Sequence, residues 1–291
     1  MSKDAILIAG PTASGKSVLA LEMAQRVDGV IINTDSMQVY KVLNRLSARP
    51  QPDDLARAEH ALYGFVDPSV RFSTGAWLEA VKTVLERIDL AGRIPIFVGG
   101  TGLYFKALLN GFTQAPEVPQ EIIARLEAEV STLGREERRA LFQSRDPEMA
   151  ALLAEPDRQR LVRALGVLEA TGRSLASWQA DAQDGLLGEY RLEKIVLNPG
   201  RDLLRQRIGD RFFAMLDTGA VQEVEQLAAL QLDPTLPAMK AIGVREILRW
   251  KAGEISKNKA AELTITATRQ YAKRQRTWFR NQMVGWDWRE S

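Results

Sequence analysis

The sequence contains no cysteine among its 291 residues and a single histidine, His60. Without cysteine the chain cannot form disulfides, thiol nucleophiles or cysteine-rich zinc sites, so we expect no zinc, and the composition agrees with a reducing compartment. One histidine is too few for a histidine-clustered metal site. The sequence also lacks a G-x-S-x-G segment, which argues against a Ser-His-Asp hydrolase.

Long apolar runs and a large charge imbalance are also missing. No apolar run approaches the ~18 residues of a membrane span, and the N-terminus lacks the pattern of a signal peptide. We therefore expect no membrane partner and a cytoplasmic location. The net charge is only +2, with 45% apolar and 26% charged residues, so any surface for a polyanion must be local.

Short apolar runs alternate with helical patterns along the chain. Strands are predicted at 5–9, 30–33, 61–66, 94–100 and 193–198. Between them, Trp77, Val81, Val84 and Ile88 recur at the spacing of one helix face. This alternation predicts an α/β fold, in which a parallel sheet of the P-loop type is flanked by helices.

A different pattern begins near residue 113, and the chain then reads as helix to about residue 185. After the last predicted strand, the chain is helical again from residue 201. We therefore predict a catalytic core with a helical C-terminal part, made of residues 1–114 and 186–291. Residues 115–185 are predicted to form an all-helical insertion between two strands.

The segment "GPTASGKS" matches the phosphate-binding loop G-x-x-x-x-G-K-[ST] and lies between a predicted strand and a predicted helix. Its residues are Gly10, Pro11, Thr12, Ala13, Ser14, Gly15, Lys16 and Ser17. The loop amides and the helix N-terminus favour an anion, Lys16 adds a charge, and Ser17 can hold Mg²⁺. The usual ligands are ATP or GTP, but these residues specify only a diphosphate or triphosphate.

Two further segments follow predicted strands, "NTDSMQVY" at 33–40 and "VGGTGLYF" at 98–105. Since ligands bind at the carboxyl ends of parallel strands, we expect Asp35 to face the same crevice as the phosphate loop. An aspartate that only caps a turn is the alternative for Asp35, and an ordinary strand-to-helix turn is the alternative for 98–105. The fourth strand ends in Gly-Gly-Thr, so the acid of a standard ATPase is missing.

These three segments, followed by "QRLVRALGVLEATG", "AMKAIGVREI" and "ATRQYAKRQRTWFR", closely resemble the bacterial tRNA dimethylallyltransferases. The resemblance runs in order from about residue 5 to residue 282. It implies that the loop binds the diphosphate of dimethylallyl diphosphate, with Mg²⁺ on Ser17. The prenyl group would be transferred to N6 of adenosine 37 in tRNA, giving N6-(dimethylallyl)adenosine and diphosphate. We expect the enzyme to act as a monomer.

The resemblance also implies roles for single residues. Lys16 and Arg211 would stabilise the leaving diphosphate, where negative charge develops. Asp35 would orient the adenine amino group and accept its proton, and Thr101 would assist from the opposite side of the crevice. A solvated helix face is the alternative for Arg211. The catalytic set implied by the resemblance is therefore Asp35, Thr101 and Arg211.

The resemblance further implies a surface for the tRNA anticodon stem-loop. From Thr264 to Val284 the chain has no acidic residue, and its basic residues recur at helical spacing. Arg158 adds to the basic segment of the insertion. A solvated basic face is the alternative, and the neighbouring Tyr271, Trp278 and Phe279 could equally be core. The predicted tRNA-binding residues are Asp35, Ser36, Met37, Gln38, Thr101, Gln159, Arg160, Leu161, Val162, Arg163, Lys240, Arg245, Arg269, Lys273, Arg276 and Arg280.

The chain departs from the family after Lys41, where an Ile-Gly-Thr-Ala-Lys-Pro loop is usual. Here Ser47, Ala48, Arg49 and Pro50 stand at that place, so the positive charge is kept and the glycine is absent. His60 matches a family histidine in position, and we expect a structural role for it.

Two other functions share parts of this pattern. An adenylate isopentenyltransferase would share the phosphate loop and the aspartate, but has less need of a helical insertion and a basic terminal helix. A small-molecule kinase would need the acid that the fourth strand lacks.

Overall fold

The computed structural model describes residues 3–113, 115–153, 157–181 and 184–290. These residues form two compact units, one of residues 1–107 with 187–291 and the other of residues 108–186. The division falls within one helix. The sequence had placed the corresponding boundaries at 114/115 and 185/186.

The first unit is built on a parallel sheet. Its strands are β1 (Lys3–Ala9), β2 (Gly29–Asn33), β3 (Glu59–Ala61), β4 (Ile94–Gly99), β5 (Tyr190–Leu197) and β6 (Asp287–Arg289). In the described part of the chain they form one sheet in the order β3-β2-β4-β1-β5-β6, with every pair parallel. The predicted α/β fold with a parallel sheet is confirmed.

Apolar side chains along the strands explain why this sheet is buried. Leu7 and Ile8 of β1, Ile31 of β2 and Phe97 of β4 are at most 2% exposed. Strands covered on both faces read as continuous apolar runs, because neither face meets water. Pro95 lies at the second position of β4, near a strand start, where a missing N–H is tolerated.

Four helices connect the strands of the first half of this unit. They are α1 (Lys16–Val27), α2 (Pro52–Arg57), α3 (Thr74–Leu90) and α4 (Gly102–Asn110). The predicted apolar face of α3 is confirmed at Trp77, Val81 and Ile88, each of which is buried. The Ser73 side chain accepts a hydrogen bond from the Ala76 N–H and so caps the start of α3.

The C-terminal part of the first unit is helical, as the sequence predicted. It contains α10 (Arg201–Asp217), α11 (Ala220–Ala229), a short 3₁₀ turn (Ala238–Lys240), α12 (Val244–Lys251) and α13 (Lys257–Gln282). Helices α10 and α13 pack together through Leu204, Ile208 and Ala272, and Ala13 of the phosphate loop packs against the same cluster. The terminal helices therefore reach the loop that follows β1.

The second unit is helical. Its helices are α5 (Gln120–Ser131), α6 (Arg135–Arg145), α7 (Pro147–Leu152), α8 (Arg158–Thr171) and α9 (Leu175–Ala180). They enclose a core of their own that includes Leu126, Phe142, Leu161 and Leu165. Asp146 is buried and accepts hydrogen bonds from the Met149 N–H and the Ser174 hydroxyl, which ties α7 to the start of α9.

One predicted strand is wrong. Residues 61–66 were expected to form a strand, but β3 ends at Ala61. Leu62 and Gly64 then adopt left-handed backbone conformations, with φ of 64° and 56°, which an extended strand cannot contain. Val66 pairs only as an isolated bridge with Tyr40. The short edge strand β6 was not predicted.

Candidate active site

The phosphate loop joins the carboxyl end of β1 to the first turn of α1. Gly15 has φ of 89°, a conformation that glycine adopts without steric cost. Its carbonyl accepts the N–H groups of Val18 and Leu19, which starts the helix. Ala13 also has a positive φ, 64°. A non-glycine residue held in this region stores strain of roughly 1–3 kcal/mol, a pattern found at functional sites.

Two cations are brought together at this loop. Lys16 donates to the Pro11 carbonyl at 3.3 Å, and Arg211 of α10 donates to the Thr12 hydroxyl. Burial lowers the pKa of Lys16 to about 8, with Asp35 opposing and Arg211 reinforcing the shift. Burial also lowers the pKa of Arg211, again opposed by Asp35. Two partly buried cations beside a cradle of amides form a site that favours an anion.

A further arginine near the loop was not predicted from the sequence. Arg207 lies on α10 one turn before Arg211, and its Nη1 is 3.8 Å from the point where a β-carbon on Gly15 would lie. The spacing of four residues between Arg207 and Arg211 is the signal that could have found it, since such residues share a helix face.

Asp35 lies in a tight turn directly after β2. Its N–H donates to the Asn33 side chain at 2.9 Å, and its Oδ1 accepts the Met37 N–H at 2.9 Å. Asn33 is fully buried, and its amide group also bonds the carbonyls of Asp35 and Leu62. The Trp77 indole N–H donates to the Asn33 carbonyl. The backbone of Asp35 is therefore fixed by the buried Asn33, and one carboxylate oxygen is held by the Met37 N–H.

The electrostatic influence of Asp35 reaches several neighbours, which places it within the site. It favours the charged forms of Lys16 and Arg211. Burial raises the pKa of Tyr104 and Tyr271, and Asp35 is the second cause in both. These tyrosines are therefore protonated at neutral pH. Asp35 also caps its turn, as the alternative interpretation of the sequence predicted, because Oδ1 accepts the Met37 N–H.

Thr101 and its neighbouring glycines pack closely against other elements. The Thr101 hydroxyl accepts the Ser36 N–H at 2.9 Å, and the Thr101 N–H donates to the Thr34 carbonyl. A β-carbon on Gly99 would collide with the Thr34 carbonyl, and one on Gly102 would collide with the Trp278 ring. The close approach at Gly99 brings the ends of β2 and β4 together.

Helix α13 supplies two side chains to this crevice that the sequence did not single out for it. Gln275 is 5% exposed; it accepts the Thr12 N–H and donates to the Gly100 carbonyl, both at 2.9 Å. Tyr271, one turn earlier, interacts with the side chains of Thr101 and Gln275, which oppose the rise in its pKa that burial causes. Their spacing of four residues places them on one helix face, but no local pattern indicated that this face is turned toward the loops.

The predicted tRNA-binding residues of the first unit fall on the turn after β2, on the 3₁₀ turn, on α12 and on α13, with Thr101 just after β4. Ser36, Met37 and Gln38 lie in the turn that contains Asp35, and the Gln38 amide bonds the carbonyls of Ser47 and Ala48. Exposed basic residues lie on the 3₁₀ turn, on α12 and on α13; they are Lys240, Arg245, Arg269, Lys273 and Arg280.

Arg276 of α13 lies in a concentration of positive charge. It is partly buried, and burial lowers its pKa, as do the neighbouring charges of Arg280 and Arg201. Arg201 begins α10 and was not predicted to belong to this cluster. Like charges held together in this way repel one another, so a bound polyanion would stabilise them. Phe279, by contrast, is core.

The predicted tRNA-binding residues of the second unit lie on the first turns of α8. Arg158, Gln159, Arg160 and Arg163 are exposed. Arg160 pairs with the helix-capping Asp157 at 3.4 Å. The next two predicted residues, Leu161 and Val162, are 0% and 7% exposed, and their side chains belong to the core of the helical unit.

The loop that departs from the family is fixed by two long-range contacts. Buried Glu223 of α11 accepts the N–H groups of Arg45 and Leu46. Arg49 donates to the carbonyls of Tyr40 and Lys41 at 3.2 and 3.1 Å. The guanidinium of Arg49, which keeps the positive charge usual in the family, therefore binds backbone carbonyls near the start of the same loop.

His60 and Ser17 line a cavity of roughly 50 Å³ together with Arg49, Asp54 and Tyr63. His60 Nδ1 lies 2.9 Å from the Ala58 carbonyl, and burial lowers the pKa of its ring. These contacts are those of a structural residue.

The described residues contain neither a metal-binding cluster of acidic or histidine side chains nor a membrane-spanning helix. No group of three or more histidine, cysteine, aspartate or glutamate residues in that part of the chain is arranged to hold a metal ion. None of the helices there is both long and apolar enough to cross a membrane.

The geometry of the site defines a class of protein. A phosphate loop with two partly buried cations lies at the end of β1, and a carboxylate held by a backbone N–H lies at the end of β2, at the same edge of a parallel sheet. Such a site can stabilise a departing diphosphate on one side and take up a proton on the other. The fold and site are those of a P-loop-type α/β enzyme suited to group transfer from a diphosphate.

Comparison with known proteins narrows this class to one family. The IPP transferase family model matches residues 38–282, and the isopentenyl transferase family model matches residues 3–63. The chain is 54% identical over 288 residues to a tRNA dimethylallyltransferase of Chelativorans sp. (strain BNC1), covering 99% of this chain and 98% of that relative. It is 49% identical over 280 residues to the tRNA dimethylallyltransferase of Rhizobium meliloti (strain 1021), covering 96% and 92%.

Solved structures give the same result. The crystal structure of a tRNA isopentenylpyrophosphate transferase from Bacillus halodurans is 30% identical, with a TM-score of 0.70 over 99% of this chain and 90% of that one. A eukaryotic dimethylallyltransferase acting on tRNA is 29% identical, with a TM-score of 0.78 over 96% and 70%. The chain belongs to the tRNA dimethylallyltransferase family.

Proposed function

We propose that this protein transfers the dimethylallyl group of dimethylallyl diphosphate to N6 of adenosine 37 in tRNA. The observation that carries the proposal is that Asp35, in the turn after β2, favours the charged forms of Lys16 and Arg211, which meet at the loop after β1. Family membership and the names of the relatives support the choice of prenyl donor and tRNA acceptor.

The donor end of the site is the phosphate loop. The diphosphate lies against the loop amides, with Lys16 and Arg211 providing positive charge. When the bond from C1 of the prenyl group to the diphosphate oxygen breaks, the electron pair leaves with the diphosphate. Preorganised cations lower the barrier most when they face the atoms that gain charge, and Lys16 and Arg211 are both held at the loop by hydrogen bonds to it.

The acceptor end is the turn after β2. The adenine N6 attacks C1, the new C–N bond forms as the C–O bond breaks, and the proton of the amino group passes to Asp35. Oδ1 of Asp35 is held by the Met37 N–H, which leaves Oδ2 for that proton. Thr101, bonded to Ser36, faces the same turn. The target base must be extruded from its stack to reach this position, which costs less in a single-stranded loop.

The residues at the loop also fit a magnesium ion. Ser17 lies in the first turn of α1 and lines the cavity that contains Asp54. Mg²⁺ typically binds through one or two protein oxygens, water and substrate phosphates, so an extended protein ligand set is not required. Ser17 would hold the ion, which would neutralise charge on the diphosphate.

The acceptor is proposed to be the anticodon stem-loop of a tRNA, bound partly on α13. Arg276 lies beside like charges, because Arg280 and Arg201 both lower its pKa. A free nucleotide offers one phosphate group, whereas a stem-loop presents successive phosphates that such a surface can neutralise. Exposed Arg158, Arg160 and Arg163 on α8 are proposed to contact tRNA from the second unit.

The test is incubation with radiolabelled dimethylallyl diphosphate and Mg²⁺, with either unmodified tRNA or AMP as the acceptor. Label is expected in tRNA, at adenosine 37 after nuclease digestion, and not in AMP. A tRNA transcript with guanosine at position 37 is the matched acceptor control. Labelling of AMP as efficiently as tRNA would replace the proposal with an adenylate isopentenyltransferase, and ATP turnover without prenyl transfer would favour a kinase.

A further inference from the structure

The side chain of Gln275 connects two loops that are far apart in sequence. Its Oε1 accepts the N–H of Thr12 in the phosphate loop, and its Nε2 donates to the carbonyl of Gly100 at the end of β4. Only this orientation of the Gln275 side-chain amide makes both hydrogen bonds, because a backbone N–H only donates and a carbonyl only accepts. The side chain is 5% exposed, so water does not substitute for either partner.

The two loops serve different substrates in the proposed function. Thr12 belongs to the donor side, where its hydroxyl also accepts from Arg211. Gly100 precedes Thr101, which lies on the acceptor side and bonds the turn of Asp35 through Ser36. One glutamine therefore fixes the spacing between the diphosphate cradle and the acceptor turn.

The surroundings of Gln275 explain why this connection is rigid. A β-carbon on Gly100 would collide with Nε2 of Gln275, so the helix and the loop are in direct contact. Tyr271, one turn earlier on α13, interacts with both Thr101 and Gln275, which oppose the rise in its pKa that burial causes. Ala272 packs against α10 between them. The helix presents a buried polar face to both loops over little more than one turn.

We propose that Gln275 is a positioning residue for the transfer step, which holds the donor loop and the acceptor loop at the separation that the reaction needs. The inference rests on the proposed function and adds a role to it. Gln275 contributes no charge and acts through Thr12 and Gly100 only. Because a displacement of about 1 Å between reacting groups can cost about 10²-fold in rate, loosening this connection affects chemistry more than it affects the binding of either substrate.

The test compares Gln275→Met with the wild-type protein and with Thr264→Val. Methionine keeps the length and volume of glutamine but makes neither hydrogen bond. Thr264 is the matched control, because it is also buried on α13 and its hydroxyl donates to the Ala260 carbonyl of its own helix. The measurements are single-turnover prenyl transfer at saturating substrates, the Kd of pyrophosphate, the Kd of tRNA, and Tm.

Gln275→Met is expected to slow single-turnover transfer about 10–100-fold, while both dissociation constants stay within about threefold of wild type. Thr264→Val is expected to transfer at the wild-type rate. A structural role alone would lower Tm and weaken both ligands in proportion, without a selective loss of rate, and that pattern would overturn the proposal. A wild-type transfer rate in Gln275→Met would overturn it as well.

If the Gln275→Met variant does not fold, Gln275→Glu tests whether Gln275 positions the two loops. Glutamate keeps the acceptor for the Thr12 N–H, but in its ionised form cannot donate to Gly100, so the rate is expected to fall at least about tenfold. An unchanged rate would refute the role of Gln275. Failure of the proposed function looks different, because the wild-type protein itself would then label no tRNA.

Discussion

The affinity of the ligand-free protein for pyrophosphate is expected to fall as the pH rises above about 8. Burial lowers the pKa of Lys16 from 10.5 to about 8, so the side chain loses its charge within an accessible pH range. A bound diphosphate favours the charged form and raises that pKa. Binding therefore takes up a proton above pH 8, and the affinity must decrease with rising pH in that window.

The magnitude follows from the fraction of protein that carries charged Lys16. With a pKa of about 8, nine-tenths of the molecules are charged at pH ~7 but only a few per cent at pH ~9.5, so the dissociation constant should rise about 30-fold between them. Isothermal titration calorimetry in two buffers of different ionisation enthalpy measures the affinity and the proton uptake together. Titration of pyrophosphate itself contributes to both and requires a control.

Lys16→Arg is that control. Its guanidinium stays charged throughout this range, and pyrophosphate titrates identically in both experiments. The difference between the two pH profiles isolates Lys16. If the wild type and Lys16→Arg show the same pH dependence and the same proton uptake, Lys16 has an ordinary pKa and the reasoning is refuted.

Three further outcomes are expected. Asp35→Ala should slow single-turnover transfer about 10²–10⁴-fold with little change in pyrophosphate affinity, and rapid transfer by this variant would remove Asp35 from the mechanism. Arg211→Ala should slow transfer and weaken pyrophosphate binding, with tRNA affinity nearly constant; the reverse pattern would contradict its placement on the leaving group. Removing Arg276 and Arg280 together should reduce the slope of log Kd for tRNA against log salt by about 1–2 units, as measured by filter binding across a salt series.

The last of these experiments has a matched control elsewhere in the first unit. Lys3 and Arg191 lie at the amino ends of β1 and β5, where they pair with Asp89 and Asp4. Removing both lowers the net charge by the same amount as removing the two arginines of α13. An equal loss of slope in the two double variants would mean that overall charge, and not contact with α13, governs tRNA binding.

The local parts of this molecule were predictable from the sequence because they are encoded in short segments. The strand-helix alternation gave the parallel sheet, and the phosphate loop between β1 and α1 was predicted at its observed position. The strand predicted at 61–66 failed for an equally local reason: apolar residues continue to Val66, but the backbone turns at Leu62. Apolar patterning reports burial and not backbone direction.

The long-range parts of the site were not predictable. Gln275 meets Thr12 across 263 residues of sequence, and no periodicity in α13 distinguishes its inward face from an ordinary buried one. Arg201 joins Arg276 and Arg280 only because α10 and α13 pack together. Leu161 and Val162 were included in the tRNA surface as part of a contiguous segment, yet their side chains pack inward. A segment inferred by resemblance does not separate the two faces of a helix.

The strand order has a consequence for the synthesis of the chain on the ribosome. Central strand β1 pairs with β4 on one side and with β5 on the other, and about 90 residues separate β4 from β5. At a translation rate of about 5–20 residues per second, β1 presents an unpaired edge for roughly 5–20 s after β4 is available. An exposed strand edge is a template for wrong pairing. The helical unit has a core of its own, so it can fold before β5 is made. Its early folding would shorten the time in which the nascent chain carries an unpaired β1 edge together with an unfolded segment.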